Sequence, residues 1–141
     1  MVYCDGSAMP NPGRMGLGAV FTEPNGTRHT LSLKALETGC NNEAELRALM
    51  VTLQALKLRD AHPLLIHCDN SVVVEQVRGD ARKPIVRLAT LFDEARALLN
   101  TFEHATLVWI PSHRNSEADA LARAALGVTE ERVVKARKKK R

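Results

Sequence analysis

Apolar and polar positions along this chain alternate between a two-residue and a helical period, and each switch predicts a change of element. Residues 1–5 form a short apolar run broken by Asp5-Gly6-Ser7, and Met9-Pro10-Asn11-Pro12-Gly13 follows as a dense turn signal. Residues 15–23 and 27–36 read as two strands joined at Pro24-Asn25-Gly26, a hairpin-type turn. In the second of them Thr30, Ser32 and Lys34 alternate with Leu31, Leu33 and Ala35, which predicts one wet face. The period then lengthens. Leu46, Leu49, Met50, Leu53 and Leu56 fall on one face of a helix over 43–58. After Pro63, Leu64-Leu65-Ile66-His67-Cys68 has the compact apolar pattern of a buried parallel strand. Residues 71–78 read as a short helix closed by Gly79, and 85–102 as another, with Ile85, Leu88, Leu91, Phe92, Ala95, Leu98 and Leu99 in register. Thr106-Leu107-Val108-Trp109-Ile110 is a last strand stopped by Pro111, and 116–126 a last helix ending at Gly127. No internal repeat is visible.

Three strands with an antiparallel start, then helix, strand, two helices, strand and helix, imply an α/β fold: a mixed sheet with helices on its faces. In open α/β sheets, sites gather beyond the carboxyl ends of the parallel strands. That rule directs attention to Asp5, Asp69 and the loop after Ile110.

Composition narrows the class. The chain has 141 residues, the size of one domain, and 45% are hydrophobic, enough for a single core. A charged share of 26% argues against a disordered chain. No apolar run approaches the roughly 20 residues of a membrane span, so no membrane association is expected. The segment Met1-Val2-Tyr3-Cys4-Asp5 shows neither a basic region nor an apolar core of a signal peptide, and three cysteines are an odd, sparse set. Both point to a reducing compartment, the cytoplasm. The net charge of +4 is unevenly placed. Residues 128–141 carry seven bases and two acids, a net of +5, which leaves −1 for residues 1–127. A near-neutral domain over 1–127 and a basic tail over 128–141 are therefore expected.

The acids carry the chemistry. Cys4-Asp5 and Cys68-Asp69 each place an aspartate at the end of an apolar run. Alternation along a strand then turns both cysteines into packing, as small core residues. A zinc site from Cys4, Cys40, Cys68 and His67 lacks any C-x-x-C spacing. Two further acids open helices, in Asn42-Glu43-Ala44-Glu45 and Ser116-Glu117-Ala118-Asp119. Singly, each acid has an ordinary reading: capping boxes for the latter two, a helix N-cap for Asp69, a turn acid for Asp5. Together they form a group of carboxylates at strand ends and helix starts. Such a group repels itself unless a cation neutralises it, and hard oxygen ligands suit Mg²⁺ or Mn²⁺.

Several motifs follow one another in a familiar order. They are Asp5-Gly6-Ser7, Asn11-Pro12-Gly13, Gly16-Leu17-Gly18, Asn41-Asn42-Glu43-Ala44-Glu45-Leu46, Cys68-Asp69-Asn70-Ser71, Trp109-Ile110-Pro111-Ser112-His113 and Asn115-Ser116-Glu117-Ala118-Asp119. In this order and spacing the chain resembles type 1 ribonuclease H over nearly all of residues 1–127. The resemblance implies a five-stranded mixed sheet flanked by helices. It implies hydrolysis of the RNA strand of RNA/DNA hybrids, internally, to 5′-phosphate and 3′-hydroxyl ends. By position it makes Asp5, Glu45, Asp69 and Asp119 the catalytic, metal-binding carboxylates, holding two Mg²⁺ ions, with Mn²⁺ as the alternative. One ion would activate the attacking water and the other would stabilise the 3′-oxygen leaving group. Glu45 would also sense the 2′-hydroxyl beside the scissile phosphate. Gly6, Ser7, Asn11, Asn41 and Asn42 become substrate contacts; the ordinary reading is a turn former for Asn11, and loop and N-cap for Asn41 and Asn42. His113 matches an accessory histidine for proton transfer or product release. Only five residues separate it from Asp119, so Arg114 could take that part instead, and a solvated loop histidine is the alternative.

A second departure is the short Gly79-Asp80-Ala81-Arg82-Lys83-Pro84 link, where many bacterial members insert a basic helix and loop. The chain thus resembles a short form lacking the basic protrusion. Its low aromatic share, 4%, disfavours single-strand binding by stacking. A monomer without a protein partner is the expectation. The alternatives are a catalytically silent module binding hybrid or double-stranded RNA, and a ribonuclease H domain of a larger reverse-transcriptase-like protein. Duplex affinity needs positive charge against phosphate, and Lys135–Arg141 would supply it. Deleting residues 129–141 is expected to weaken hybrid binding and flatten its salt dependence while sparing the metal site. An unchanged KM and salt slope would identify the tail as a merely solvated terminus.

Overall fold

A computed structural model describes residues 1–59, 63–80 and 83–128. The tail expected to grip substrate therefore lies outside the described residues from Thr129 onward. The strands are β1 (Val2–Met9), β2 (Gly13–Thr22), β3 (Arg28–Gly39), β4 (Leu64–Cys68) and β5 (Ala105–Trp109). The helices are α1 (Asn41–Leu58), α2 (Ser71–Arg78), α3 (Ala89–Asn100) and α4 (Ser116–Ala124), with 3₁₀ turns at Val86–Leu88 and Ser112–Arg114. The sheet runs in the order β3-β2-β1-β4-β5. The β1–β2 and β2–β3 pairs are antiparallel, and β1–β4 and β4–β5 parallel. The expected five-stranded mixed sheet is thus present.

Sequence-based boundaries hold where one rule decides and move where two compete. The strand β1 does not stop at Asp5-Gly6-Ser7. It runs on to Met9 because every residue from Val2 to Met9 has an antiparallel partner on β2. What does stop there is the parallel pairing, whose last rung is Cys4 against Cys68. The helix α1 starts at Asn41 rather than 43, because Cys40 takes the extended N-cap conformation and its carbonyl accepts from Ala44 N–H. The expected helix over 85–102 opens instead as the 3₁₀ turn Val86–Leu88 and becomes α-helical from Ala89. The edge strand β3 extends to Gly39, past a register shift opposite Arg14 to Gly16. On its polar face Ser32 donates its hydroxyl to the Leu121 carbonyl of α4, so that face is partly a helix contact.

The main core lies between the sheet and the α1–α3 layer. It joins Val2, Cys4, Ile66, Cys68 and Leu107 of the sheet to Leu46, Leu49 and Leu53 of α1 and Phe92 of α3. Each such aliphatic side chain contributes roughly 1.5–3 kcal/mol on leaving water. Both cysteines are fully buried in it, as strand alternation requires. On the opposite face α4 covers β1, β2 and part of β3. Its approach depends on β2 having no side chain at Gly16 and Gly18, where a Cβ would overlap the backbone of Ala122 and of Ala118. Gly6 does the same for α1, whose Ala44 carbonyl occupies the space of the missing Cβ.

Gly18→Ala should therefore force α4 off the sheet at a cost of about 1–3 kcal/mol or more. Urea denaturation measures it. A variant of wild-type stability would contradict the close approach of α4 to β2.

Candidate active site

Where the parallel rungs end, β1 and β4 part: β1 continues beside β2, and β4 turns into α2. Asp5 and Asp69 follow the last rung directly, so the split in the sheet holds them side by side. Glu45 reaches them from α1, since Gly6 lets that helix lie on β1. Its Oε1 accepts from Gly6 N–H at 3.0 Å. Carboxylate oxygens of Asp5, Glu45 and Asp69 lie within 4.8 Å of one another. Asp119, in the first turn of α4, stands outside that triplet but lines the same cavity, of about 600 Å³. Gly6, Ser7, Asn41 and His113 also line it.

Asp5 and Glu45 are only 5% and 4% exposed, which sets their chemistry. Burial raises the Asp5 carboxyl well above the usual range, and hydrogen bonding to Glu45 and the charges of Glu45, Asp69 and Asp119 add to it. Burial likewise lifts Glu45 to about 8, with the charges of Cys68 and Asp69 adding and the hydrogen bonds from Asp5 and Gly6 opposing. Their mutual hydrogen bond raises Asp5 and lowers Glu45. Asp5 is thus the donor and Glu45 the acceptor within this coupled pair, and burial favours the protonated form of both. Three convergent hard oxygen donors, kept from ionising together only by repulsion and burial, are a donor set that a divalent cation fits. The neighbouring Cys68 thiol is pushed well up by its hydrogen bond with Cys4 and by burial, and serves packing.

The three asparagines take different places around the cavity. Asn41 lines the cavity; its Oδ1 accepts from Ala8 N–H, and its own N–H donates to Asn11 Oδ1. Asn11 and Asn42 do not line the cavity themselves. Asn42 is no N-cap: it is the second residue of α1, and its Oδ1 accepts from Asn70 Nδ2 at 2.8 Å. Nor does Asp69 cap α2, because Asn70 does, accepting from Val73 N–H. The capping box at Ser116 is also absent, with Asn115 at the N-cap of α4 and no side-chain cap bond. His113 and Arg114 share a 3₁₀ turn, yet Arg114 lines a separate small depression with Tyr3 and Glu117. Sequence reasoning missed Asn70, Ser71, Ser112 and Ser116 on the cavity wall, and Asn115 beneath it. They stand in the motifs quoted from the sequence, just before or at a helix start, where no role in the site was assigned to them.

The family model described as reverse transcriptase-like matches residues 3–125. A bifunctional protein of Mycobacterium tuberculosis is 33% identical over 127 residues, covering 89% of this chain and 35% of that protein. The chain thus spans about a third of the length of the mycobacterial relatives it matches. The ribonuclease H of Polynucleobacter asymbioticus is 31% identical over 135 residues, covering 86% of each. Among solved structures, a compost-derived ribonuclease H bound to an RNA/DNA hybrid superposes with a TM-score of 0.80 at 26% identity, covering 89% of this chain and 95% of that one.

The raised carboxyls give a signed pH dependence. Glu45 ionises near 4.5 in the unfolded chain and near 8 in the fold, so the folded state binds a proton that the unfolded state releases. Without cations, the Glu45 contribution to stability is fully present below about pH 4.5 and is lost as the pH rises through about 8. A divalent cation replaces the proton, so its stabilising effect should be small near the acid end of that window and grow toward the alkaline end. Thermal melts with Mg²⁺ and with EDTA across the window check this, and a pH-independent Mg²⁺ shift would contradict it.

Proposed function

The chain belongs to the type 1 ribonuclease H family, in a short form without the basic protrusion, and from that premise we propose that it is a metal-dependent endonuclease hydrolysing the RNA strand of RNA/DNA hybrids. The observation that carries this reading is the convergence of Asp5, Glu45 and Asp69 within 4.8 Å, on a cavity that Asp119 also lines. These four side chains would hold two Mg²⁺ ions, or Mn²⁺. When bound, the ions supply charge neutralisation for the attacking and leaving oxygens of a phosphodiester.

The chain's own residues do the rest. Three close carboxylates repel a phosphodiester, so Asp5, Glu45 and Asp69 accept substrate only once their charge is balanced. The Gly6 N–H bond and burial between α1 and β1 fix the Glu45 carboxylate, so its position does not depend on substrate. With Asn41 Oδ1 taken by Ala8 N–H, the Asn41 NH₂ is the group left to donate to a ribose 2′-hydroxyl. A 2′-hydroxyl is what distinguishes RNA from DNA, so this contact selects the strand to be cut. Asn11 and Asn42 support it through Asn41 N–H and through Asn70. His113, exposed at the cavity wall, would give a proton to the departing 3′-oxygen or ease product release. Gly6 and Ser7, which line the cavity, would contact the substrate there.

Labelled RNA/DNA hybrid, double-stranded RNA and double-stranded DNA, each with Mg²⁺, Mn²⁺ or EDTA, test the proposal. Only the RNA of the hybrid should be cut, leaving 5′-phosphates, and EDTA should abolish cutting. Asp5→Asn and Asp69→Asn should each lower the rate by more than about 100-fold, beyond what outer partners of a metal site usually cost. Cleavage persisting in EDTA, or in either variant, overturns the two-metal mechanism.

A further inference from the structure

Asn115 bonds to the segments that carry Asp5, Asp69, Asp119 and His113, although it does not line the cavity itself. It is 2% exposed. Its Nδ2 donates to the Cys4 carbonyl at 2.9 Å and to Asp69 Oδ2 at 3.1 Å. One side-chain amide thereby bridges the residue before Asp5 and the carboxylate of Asp69, across the split where the parallel rungs end. The main chain of the same residue binds two further parts of the site. Its carbonyl accepts from Asp119 N–H at 3.1 Å, and its N–H donates to Ser112 O at 2.9 Å, closing the 3₁₀ turn that carries His113.

The amide orientation is forced. Cys4 O and Asp69 Oδ2 are both acceptors, so turning the amide over would set an oxygen against two oxygens. The consequence is that Oδ1 is buried with no hydrogen-bond donor among the described residues. A side chain chosen for cap or core stability would not leave an acceptor in that state, and it makes no cap bond to α4. Its hydrogen-bonding capacity is directed instead at the aspartate strands.

We propose that Asn115 is a positioning residue that sets the Asp69 carboxylate, and through its backbone Asp119 and His113, in the geometry that receives a divalent cation. The proposal rests on the hybrid-cleaving reading for its catalytic consequence, but not for its effect on cation binding. Asn115→Ala removes the bridge, and Asn115→Ser removes it while supplying a good helix N-cap. Both variants should keep the KM for hybrid within about twofold, lower kcat about tenfold, and raise the Mg²⁺ concentration for half-maximal thermal stabilisation severalfold. Serine should recover melting temperature over alanine without recovering kcat or the Mg²⁺ midpoint. In the unaltered protein, the Asn115 side-chain NH₂ resonances should move on Mg²⁺ titration, a measurement that needs no variant to fold.

A serine variant that regains wild-type kcat and Mg²⁺ midpoint would reduce Asn115 to a helix cap. Side-chain amide resonances unmoved at saturating Mg²⁺ would likewise overturn the proposal. If the wild type binds Mg²⁺ with these signatures but cuts no hybrid, the catalytic reading fails and the positioning role stands.

Discussion

Like-charged carboxylates do not gather unless something forces them together, and the fold of this chain is organised around that force. Repulsion among Asp5, Glu45 and Asp69, and desolvation of the buried Asp5 and Glu45, act against their sharing a few ångströms. The opposing work is done by the backbone. A strand that is parallel to one neighbour and antiparallel to the other must open on one side where the parallel ladder ends, and that opening is where the two aspartates sit. The helix-borne acids are brought in by close packing of α1 and α4 on opposite faces of the same strand pair.

This arrangement makes small residues as important as charged ones. Gly6 permits α1 to touch β1 and also offers the N–H that holds Glu45, so its missing side chain and its backbone donor serve the same end. Gly16 and Gly18 do the corresponding service for α4, and thereby for Asp119. The cysteines beside the aspartates fill the core on the reverse side of the strands. Asp5 and Asp69 are each thus paired with an apolar anchor one residue away, and strand alternation is the link between them.

Much of this was legible before any coordinates. Leu46, Leu49, Leu53 and Leu56 announce α1 by their spacing, and Leu64 to Cys68 announce a parallel strand, which is buried except at Leu65. Asp5, Glu45 and Asp69 were identified by where they fall relative to those elements. Three things were hidden, each for a physical reason. The end of β1 depends on its partner β2, which no local pattern around Gly6 encodes. The N-caps depend on one backbone dihedral, so Cys40, Asn70 and Asn115 hold places that Asn42, Asp69 and Ser116 equally well suggested. The separation of His113 from Arg114 follows from a 3₁₀ turn, in which successive side chains diverge by about 120°. Burial of Asn115, finally, arises only when α4 closes over β1, a contact spanning more than a hundred residues of sequence.

The placement of Trp109 has a consequence of another kind. It is the sole tryptophan of the chain, 51% exposed at the end of β5, and its indole Nε1–H donates to the main-chain carbonyl of Asp69 at 3.1 Å. The protein's tryptophan emission therefore originates from one ring hydrogen-bonded to the backbone of a proposed catalytic residue and half open to water. Any event that shifts the Asp69 segment or dries that edge registers as a change of colour or intensity, without a dye. The molecule carries its own optical gauge, mounted on the strand end where the sheet divides.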